Sequence, residues 1–213
     1  MRWSTIAAVA APPLILAAIG VSHPHELTAE SAEWWTNMHI LLVPLFPLLA
    51  VCHWILLRGM GGVLAWAARV AAFVYIGFYG ALDALAGIAT GTLVQAGLDA
   101  GGGHHDPSAG RDPAITRLFE IGNDLGYIGA YSFVAAGALT GFVMFRAAGP
   151  RALPGGLILV AASAVFSQKH IYWPVGVFAM LGLALGFGLL AWSSRPVPAA
   201  RAEEPVLEVS AAV

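Results

Sequence analysis

The chain has 213 residues, of which 59% are hydrophobic and only 10% are charged, and its formal net charge is −2. Soluble domains carry about 25% charged residues, so this composition excludes an ordinary soluble domain and favours a polytopic membrane protein. The slight negative charge gives no basis for nucleic-acid binding. The single cysteine, Cys52, excludes an internal disulfide and a paired-cysteine metal or redox site.

Six apolar segments are long enough to cross a bilayer, which takes about 20 residues, and they predict an all-α transmembrane bundle. These spans are 3–21, 36–57, 62–90, 118–146, 151–168 and 174–193. The first span also fits a cleaved signal peptide, which would leave five spans, but its single N-terminal Arg2 favours a retained helix. We predict one transmembrane domain over 1–193 and a disordered cytoplasmic tail over 194–213.

The arginines indicate the orientation, because basic residues near span ends concentrate on the cytoplasmic side. One set of span ends carries Arg2, Arg58, Arg146, Arg151, Arg195 and Arg201. The opposite ends carry Arg111, Arg117 and Lys169. The larger set predicts that both termini are cytoplasmic and that the outer loops are 22–35, 91–117 and 168–173. Arginine in place of lysine, with abundant Ala and Gly, is typical of a bacterial protein, so we expect the bacterial inner (plasma) membrane.

This topology places most ionisable side chains on the outer side. The histidines there are His23, His25, His39, His104, His105 and His170. The acids there are Glu26, Glu30, Glu33, Asp83, Asp99, Asp106, Asp112, Glu120 and Asp124. Ionisable groups in or beside a bilayer are energetically costly, so their clustering indicates a functional site.

The first outer loop contains His23-Pro24-His25-Glu26, a short histidine tract that fits either a metal site or an ordinary polar loop. In the second span, His39 lies near the outer end, and His53 follows fourteen residues later on nearly the same face. This spacing resembles the two-haem helix of membrane cytochromes b. No other span carries such a pair, so the resemblance allows at most one haem, with His39 and His170 as axial ligands.

The third span places Tyr75, Tyr79 and Asp83 four residues apart, on one helical face. Asp83 lies about two turns inside the outer end, where an ionised carboxylate needs a cation, a metal or several hydrogen-bond donors. The alternative is that Asp83 is a structural acceptor for a neighbouring helix.

The fourth span has two different faces. Four polar side chains spaced 4, 3 and 4 share one face: Glu120, Asp124, Tyr127 and Tyr131. The opposite face carries Gly122, Gly126 and Gly129. We expect the glycine face to pack against a neighbouring helix or a partner, and the polar face to meet water, charge or metal. Alternatively, the two acids only mark a water-exposed helix start.

His170 follows the fifth span at the same depth as the polar groups of three other helices. We therefore predict a metal site formed by His39, Asp83, Asp124 and His170. Such mixed ligands suit a divalent transition metal such as Zn, Fe, Mn or Cu, and a single haem is the alternative. We expect the catalytic groups to be Glu120, Tyr79, Tyr127 and Tyr131.

These features favour a metal- or haem-dependent membrane enzyme or redox protein that opens to the non-cytoplasmic side and acts on a small or lipid-soluble molecule. A cation- or proton-coupled carrier or channel is the first alternative. It is less favoured because the inner half offers few polar groups, namely Arg69, His53, Thr140 and Cys52. The second alternative is an accessory subunit or homo-oligomer that associates through glycine-rich helix faces. The sequence leaves open whether the protein is an enzyme.

Overall fold

The computed structural model describes residues 2–99 and 112–194, and within these ranges the chain is helical and contains no strand. The helices are α1 (Arg2–Gly20), α2 (Ala32–Leu45), α3 (Pro47–Leu56), α4 (Val63–Leu82), α5 (Thr90–Asp99), α6 (Pro113–Ala148), α7 (Leu153–Lys169) and α8 (Val175–Ser193). The predicted all-α membrane bundle is confirmed. The histidines His104 and His105, and the predicted tail beyond Ser194, lie outside the described residues.

Five helical segments in the described ranges are long and apolar enough to cross a membrane: Trp3–Gly20, Ala32–Leu56, Val63–Leu98, Pro113–Lys169 and Val175–Ser193. The fourth segment has 57 residues and folds back on itself. Its 3-10 turn, Gly149–Ala152, begins at a glycine with φ +71°, a backbone conformation that favours glycine. Gly141 contacts Gly156 and the earlier Gly137 contacts the later Ser163, so α6 and α7 are antiparallel. The segment therefore accounts for the fourth and fifth spans predicted from the sequence.

The glycine face of α6 packs against α4 and its continuation. A Cβ atom on Gly129 would lie 2.7 Å from the backbone nitrogen of Tyr79, and one on Gly122 would lie 2.9 Å from the Cβ of Ala86. Only glycine permits helix axes this close. The polar face of α6 consequently points away from α4.

The two ends of the bundle differ in chemistry. At one end, the turn 57–62 joins α3 to α4, the turn 149–152 joins α6 to α7, and the rings of Trp3 and Trp192 lie 5.5 Å apart. We call this the arginine end, because Arg58 and Arg151 lie in its turns. The loops that follow α1 and α7 meet at the other end, the histidine end.

Helix α4 continues into a π-helical segment, Asp83–Ala89, at the histidine end. Side chains bind carbonyls of this segment: Trp35 Nε1 donates to the oxygen of Gly87 at 3.0 Å, and Thr90 Oγ1 donates to that of Ala86 at 2.6 Å. The Trp35 bond holds α2 against the segment, and Gly87 lies directly under the His39 ring. π-helical segments are rare and are often found at functional sites.

Candidate metal centre

Three histidines meet at the histidine end, and we call them the histidine cluster: His23, His39 and His170. One ring nitrogen of each lies within 4.8 Å of those of the other two. His23 comes from the loop after α1, His39 from α2, and His170 directly follows α7. His23 and His39 are each 4% exposed, and His170 is partly buried.

The three rings surround a common point. The ring centre of His23 lies 5.2 Å from those of His39 and His170, which are 6.4 Å from each other. A point equidistant from the three centres is therefore about 3.3 Å from each. An ion bound by an imidazole nitrogen at about 2.0–2.1 Å lies roughly 3.2 Å from the ring centre. The arrangement thus has the dimensions of one ion held by three imidazoles.

Hydrogen bonds fix which nitrogen each ring offers. Nδ1 of His39 lies 2.7 Å from the carbonyl oxygen of Trp35, and Nδ1 of His23 lies 2.7 Å from that of Pro24. A carbonyl oxygen only accepts, so both neutral rings carry the proton on Nδ1 and leave the Nε2 lone pair free. Bonds of this type orient metal-binding histidines in proteins.

His170 is oriented by a tyrosine. Its Nδ1 lies 2.6 Å from the hydroxyl of Tyr79, and the two rings are stacked 5.8 Å apart. With its proton on Nδ1, His170 would donate to the Tyr79 oxygen and keep the Nε2 lone pair free for a metal ion. Tyr79 contacts His170 and would orient its ring, whereas the sequence analysis assigned Tyr79 a catalytic role.

The Nε2 atoms of His23 and His170 are buried and have no hydrogen-bond partner within the described residues. Burial lowers the pKa of His23 to about 3, and the neighbouring His39 and His25 act in the same direction. Burial, with His23 and His39 nearby, also lowers the pKa of His170 well below its usual range. Both rings are therefore neutral at pH 7, the form that binds metal ions.

The backbone at His170 is specialised. The residue caps α7, its N–H donates to the oxygen of Phe166 at 3.0 Å, and its φ is +48°. A non-glycine residue in this region costs on the order of 1–3 kcal/mol. The conformation reverses the chain after α7 and brings the ring of His170 close to those of His23 and His39. The following residue, Ile171, is buried against Gly20 and Gly176, where a Cβ would clash.

Asp83 lies beside the histidine cluster, in the π-helical segment. It is 0% exposed, and neither carboxylate oxygen has a hydrogen-bond partner among the described residues. It lines a cavity of about 160 Å³ together with His39, His170, Tyr172 and Asn123. An uncompensated carboxylate in such a place is costly, and a proton or a nearby metal cation removes that cost. Asp83 is not among the residues whose ligand atoms lie within 4.8 Å of one another, but it lines the same cavity as His39 and His170.

A second cavity of about 130 Å³ adjoins the first, since both are lined by His170 and Tyr172. Tyr79 and Tyr127 also line it, although the ring of Tyr127 is 49% exposed. Burial and the nearby Asp83 raise the pKa of Tyr172 to about 12, so its hydroxyl stays protonated. The two cavities give the cluster polar surroundings on the side of α6.

The structure does not bring the other predicted site residues into the cluster. Asp124 is exposed, as is Glu120, which forms an ion pair with Arg117 at 2.7 Å. Tyr131 is 56% exposed and accepts a hydrogen bond from Gln168 at 3.2 Å. The physical reason is the close packing of the α6 glycines against α4, which turns the polar face of α6 outward.

His53 lies apart from the cluster in the other half of the bundle. Its Nδ1 is 2.9 Å from Thr140 Oγ1, and its ring packs between Phe133 and Phe187. His53 is fully buried in the interior of the bundle.

His23 is the cluster member that the sequence analysis left out of the site. It lies in the aperiodic segment between α1 and α2, so helical periodicity gives no information about where its side chain points. The available signal was the tract His23-Pro24-His25-Glu26 at the outer end of a span, which fits a metal site and a polar loop equally well.

Comparison of the chain with protein-family models, with curated proteins and with solved structures gives no match.

Proposed function

We propose that the protein is a membrane-embedded metal enzyme whose centre is one transition-metal ion bound by His23, His39 and His170. One observation carries this proposal: three imidazoles surround a point at metal-binding distance, with Nδ1 of two of them held by carbonyl oxygens. Three protein ligands and one open position are typical of catalytic zinc sites, whereas structural sites use four. His39 and His170 line the same cavity as Asp83, and we expect the open position to face that cavity.

The geometry favours a single ion over a haem. His39 and His170 are parallel within 5°, as axial ligands on opposite faces of a porphyrin would be. The ring of His23, however, stands 5.2 Å from both and nearly perpendicular to them, in the space that a porphyrin would need. Neutral imidazole ligands suit zinc and copper, and we take Zn²⁺ as the expected ion.

The chemistry follows from the cavity. A metal ion there would act as a Lewis acid on water or on a small oxygen-containing substrate. Asp83 lines the same cavity and, in its ionised form, would accept the proton that such a ligand releases. At about 160 Å³, the cavity is smaller than the roughly 300–1,000 Å³ that pockets for drug-sized ligands occupy. The substrate class is therefore a small molecule, or the small reactive end of a lipid-soluble one.

The proposed orientation places the histidine end on the non-cytoplasmic side of a bacterial inner membrane. The arginine end carries Arg58, Arg146 and Arg151, and positive residues at span ends favour the cytoplasmic side. Metal and substrate would then enter from the outside, with both termini in the cytoplasm.

The test is metal content and affinity in the purified protein, with Zn²⁺ and Cu²⁺ as probes. We expect one ion per chain. We also expect His23→Ala to weaken binding on the order of 100-fold, because one of three ligands is lost. The matched control is His25→Ala, which removes an exposed histidine of the same loop that stacks on Tyr172. This control should bind like the unmodified protein.

Three results would overturn the proposal. Equal loss of metal in both histidine variants would indicate nonspecific binding by the loop. A protein that binds neither ion tightly would favour the carrier or the accessory-subunit alternative. A Soret band in the absorption spectrum, lost in His39→Ala, would identify a haem protein instead.

A further inference from the structure

A groove on the membrane-facing surface lies far from the histidine cluster, between α3 and the first half of α4. It has a volume of about 380 Å³, within the range of roughly 300–1,000 Å³ that small-molecule pockets occupy. Its lining is Trp54, Trp66, Arg69, Val70 and Phe73. Four of these side chains are apolar and between 42% and 64% exposed. The groove is thus open and lined by apolar side chains and one cationic side chain.

The cation is Arg69, in the second turn of α4. Its Nη2 donates to the carbonyl oxygens of Leu57 at 2.6 Å and Met60 at 2.9 Å, and its guanidinium lies 5.0 Å from the centre of the Trp66 ring. Within residues 2–99 and 112–194, no carboxylate forms an ion pair with it. Nη2 uses two of the five guanidinium N–H groups, so Nε and Nη1 keep three. An uncompensated positive charge in a membrane-spanning helix attracts an anion.

The depth of the groove along α4 indicates that such an anion would be a lipid headgroup. Arg69 is six residues after the start of α4, about 9 Å along the helix axis. The groove therefore opens near the arginine end, at the depth where a bilayer changes from headgroup to acyl chain. Trp54 and Trp66 flank it, and tryptophan is enriched at this depth. Basic pockets between transmembrane helices on the cytoplasmic side bind anionic lipid headgroups.

We infer that this groove binds one anionic phospholipid, with the phosphate on the free N–H groups of Arg69 and an acyl chain along Val70 and Phe73. Charge complementarity selects a lipid with net negative charge, because no carboxylate within the described residues neutralises Arg69. The apolar lining formed by Val70 and Phe73 favours a molecule with an acyl chain over a free phosphate ion. The site is independent of the proposed metal centre, which lies at the opposite end of the bundle.

The experiment is native mass spectrometry of the full chain in detergent, with phosphatidylglycerol or phosphatidylcholine of the same acyl chains added. The unmodified protein should retain phosphatidylglycerol in preference to phosphatidylcholine. Arg69→Gln should reduce that preference about fivefold, equivalent to about 1 kcal/mol. The matched control is Arg151→Gln, which removes the same charge at the same end but outside the groove. It should keep the preference.

Arg69 also binds two carbonyl oxygens of the turn between α3 and α4, so Arg69→Gln could disturb that turn. A second variant therefore tests the groove without removing this arginine. Val70→Phe keeps the charge and fills the groove at a position that is already 57% exposed, so it should fold normally and bind both lipids more weakly. Two results would overturn the inference. One is unchanged lipid preference in Arg69→Gln with only a lower melting temperature, which would make Arg69 a structural residue. The other is groove variants that alter dimer formation and not lipid retention, which would make the groove a protein interface.

Discussion

Replacing Gly87 by alanine should disable the proposed metal centre without replacing any of its three histidines. Gly87 lies in the π-helical segment directly under His39, and a Cβ added there would be 2.7 Å from the His39 Cβ and closer still to its ring. Carbon atoms prefer about 3.5–4.0 Å, so the ring must withdraw by roughly 1 Å. Metal–ligand distances tolerate only about ±0.2 Å. We therefore expect Gly87→Ala to remove one of the three ligands.

The size of the effect follows from this geometry. Loss of one ligand should weaken Zn²⁺ binding on the order of 100-fold. Overpacking at the site should cost about 1–3 kcal/mol of stability, partly offset by the roughly 0.5–1 kcal/mol that alanine gains over glycine in a helix. The net change is a modest loss of stability with a large loss of affinity.

The matched control is Gly80→Ala, seven residues earlier in α4, where a Cβ would meet nothing within 4 Å. This change should leave Zn²⁺ affinity unchanged and should keep or raise the melting temperature. Affinity is measured by competition with a chelator of known strength, and folding by circular dichroism of the same samples. If Gly87→Ala binds Zn²⁺ as tightly as Gly80→Ala does, His39 is not a ligand in this geometry and the reasoning fails.

Three further predictions follow from the same site. Asp83→Asn should keep the fold and most of the bound metal but abolish any proton-coupled activity, because it preserves size and removes the charge; metal content and turnover are measured together. The Zn²⁺ dissociation constant should change less than about twofold between pH 7.5 and 6.0, since His23 and His170 stay neutral there. Two imidazoles with an ordinary pKa of about 6.5 would weaken binding about 14-fold over that range. Cysteines introduced at Ser108 and Ala148 should label from opposite sides of the membrane, Ser108 from outside.

Each of these predictions has a contradicting result. If Asp83→Asn retains full activity while Asp83→Ala only lowers stability, Asp83 is a packing residue. A steep loss of Zn²⁺ affinity below pH 7 would mean that His23 and His170 titrate normally and lie in water. Labelling of Ser108 and Ala148 from the same side would overturn the topology.

Helical periodicity predicted the parts of the site that lie on helices. It placed His39, Asp83 and His170 at one depth, and all three line one cavity. It also separated the two faces of α6 correctly. It predicted that the glycine face would pack against a neighbouring helix or a partner, but it could not say which one, and so could not say whether the polar face would point toward the site. The glycines packed on α4, and Asp124 was therefore left outside the site.

Helical periodicity could not predict two other features of the site, for different reasons. His23 lies in an irregular loop, whose course is set by tertiary contacts rather than by a repeating pattern. The π-helical geometry at Asp83–Ala89 shifts the register of the following residues, and the sequence carries no clear signal for it, since isolated glycine and alanine fit an ordinary helix equally well. The contact of Gly87 with His39 depends on that register.

The separation of the ligands along the chain has a consequence for how the protein is made. His39 and His170 are 131 positions apart, so at about 5–20 residues per second the second emerges from the ribosome roughly 7 to 26 seconds after the first. In the proposed metal centre, an ion could not reach all three ligands before α7 has been inserted and has turned back toward α1. Once bound, the ion would link the loop after α1, helix α2 and the end of α7 as a cross-link would. Loading of the proposed metal would therefore come late in the assembly of the bundle, after α7 is in place.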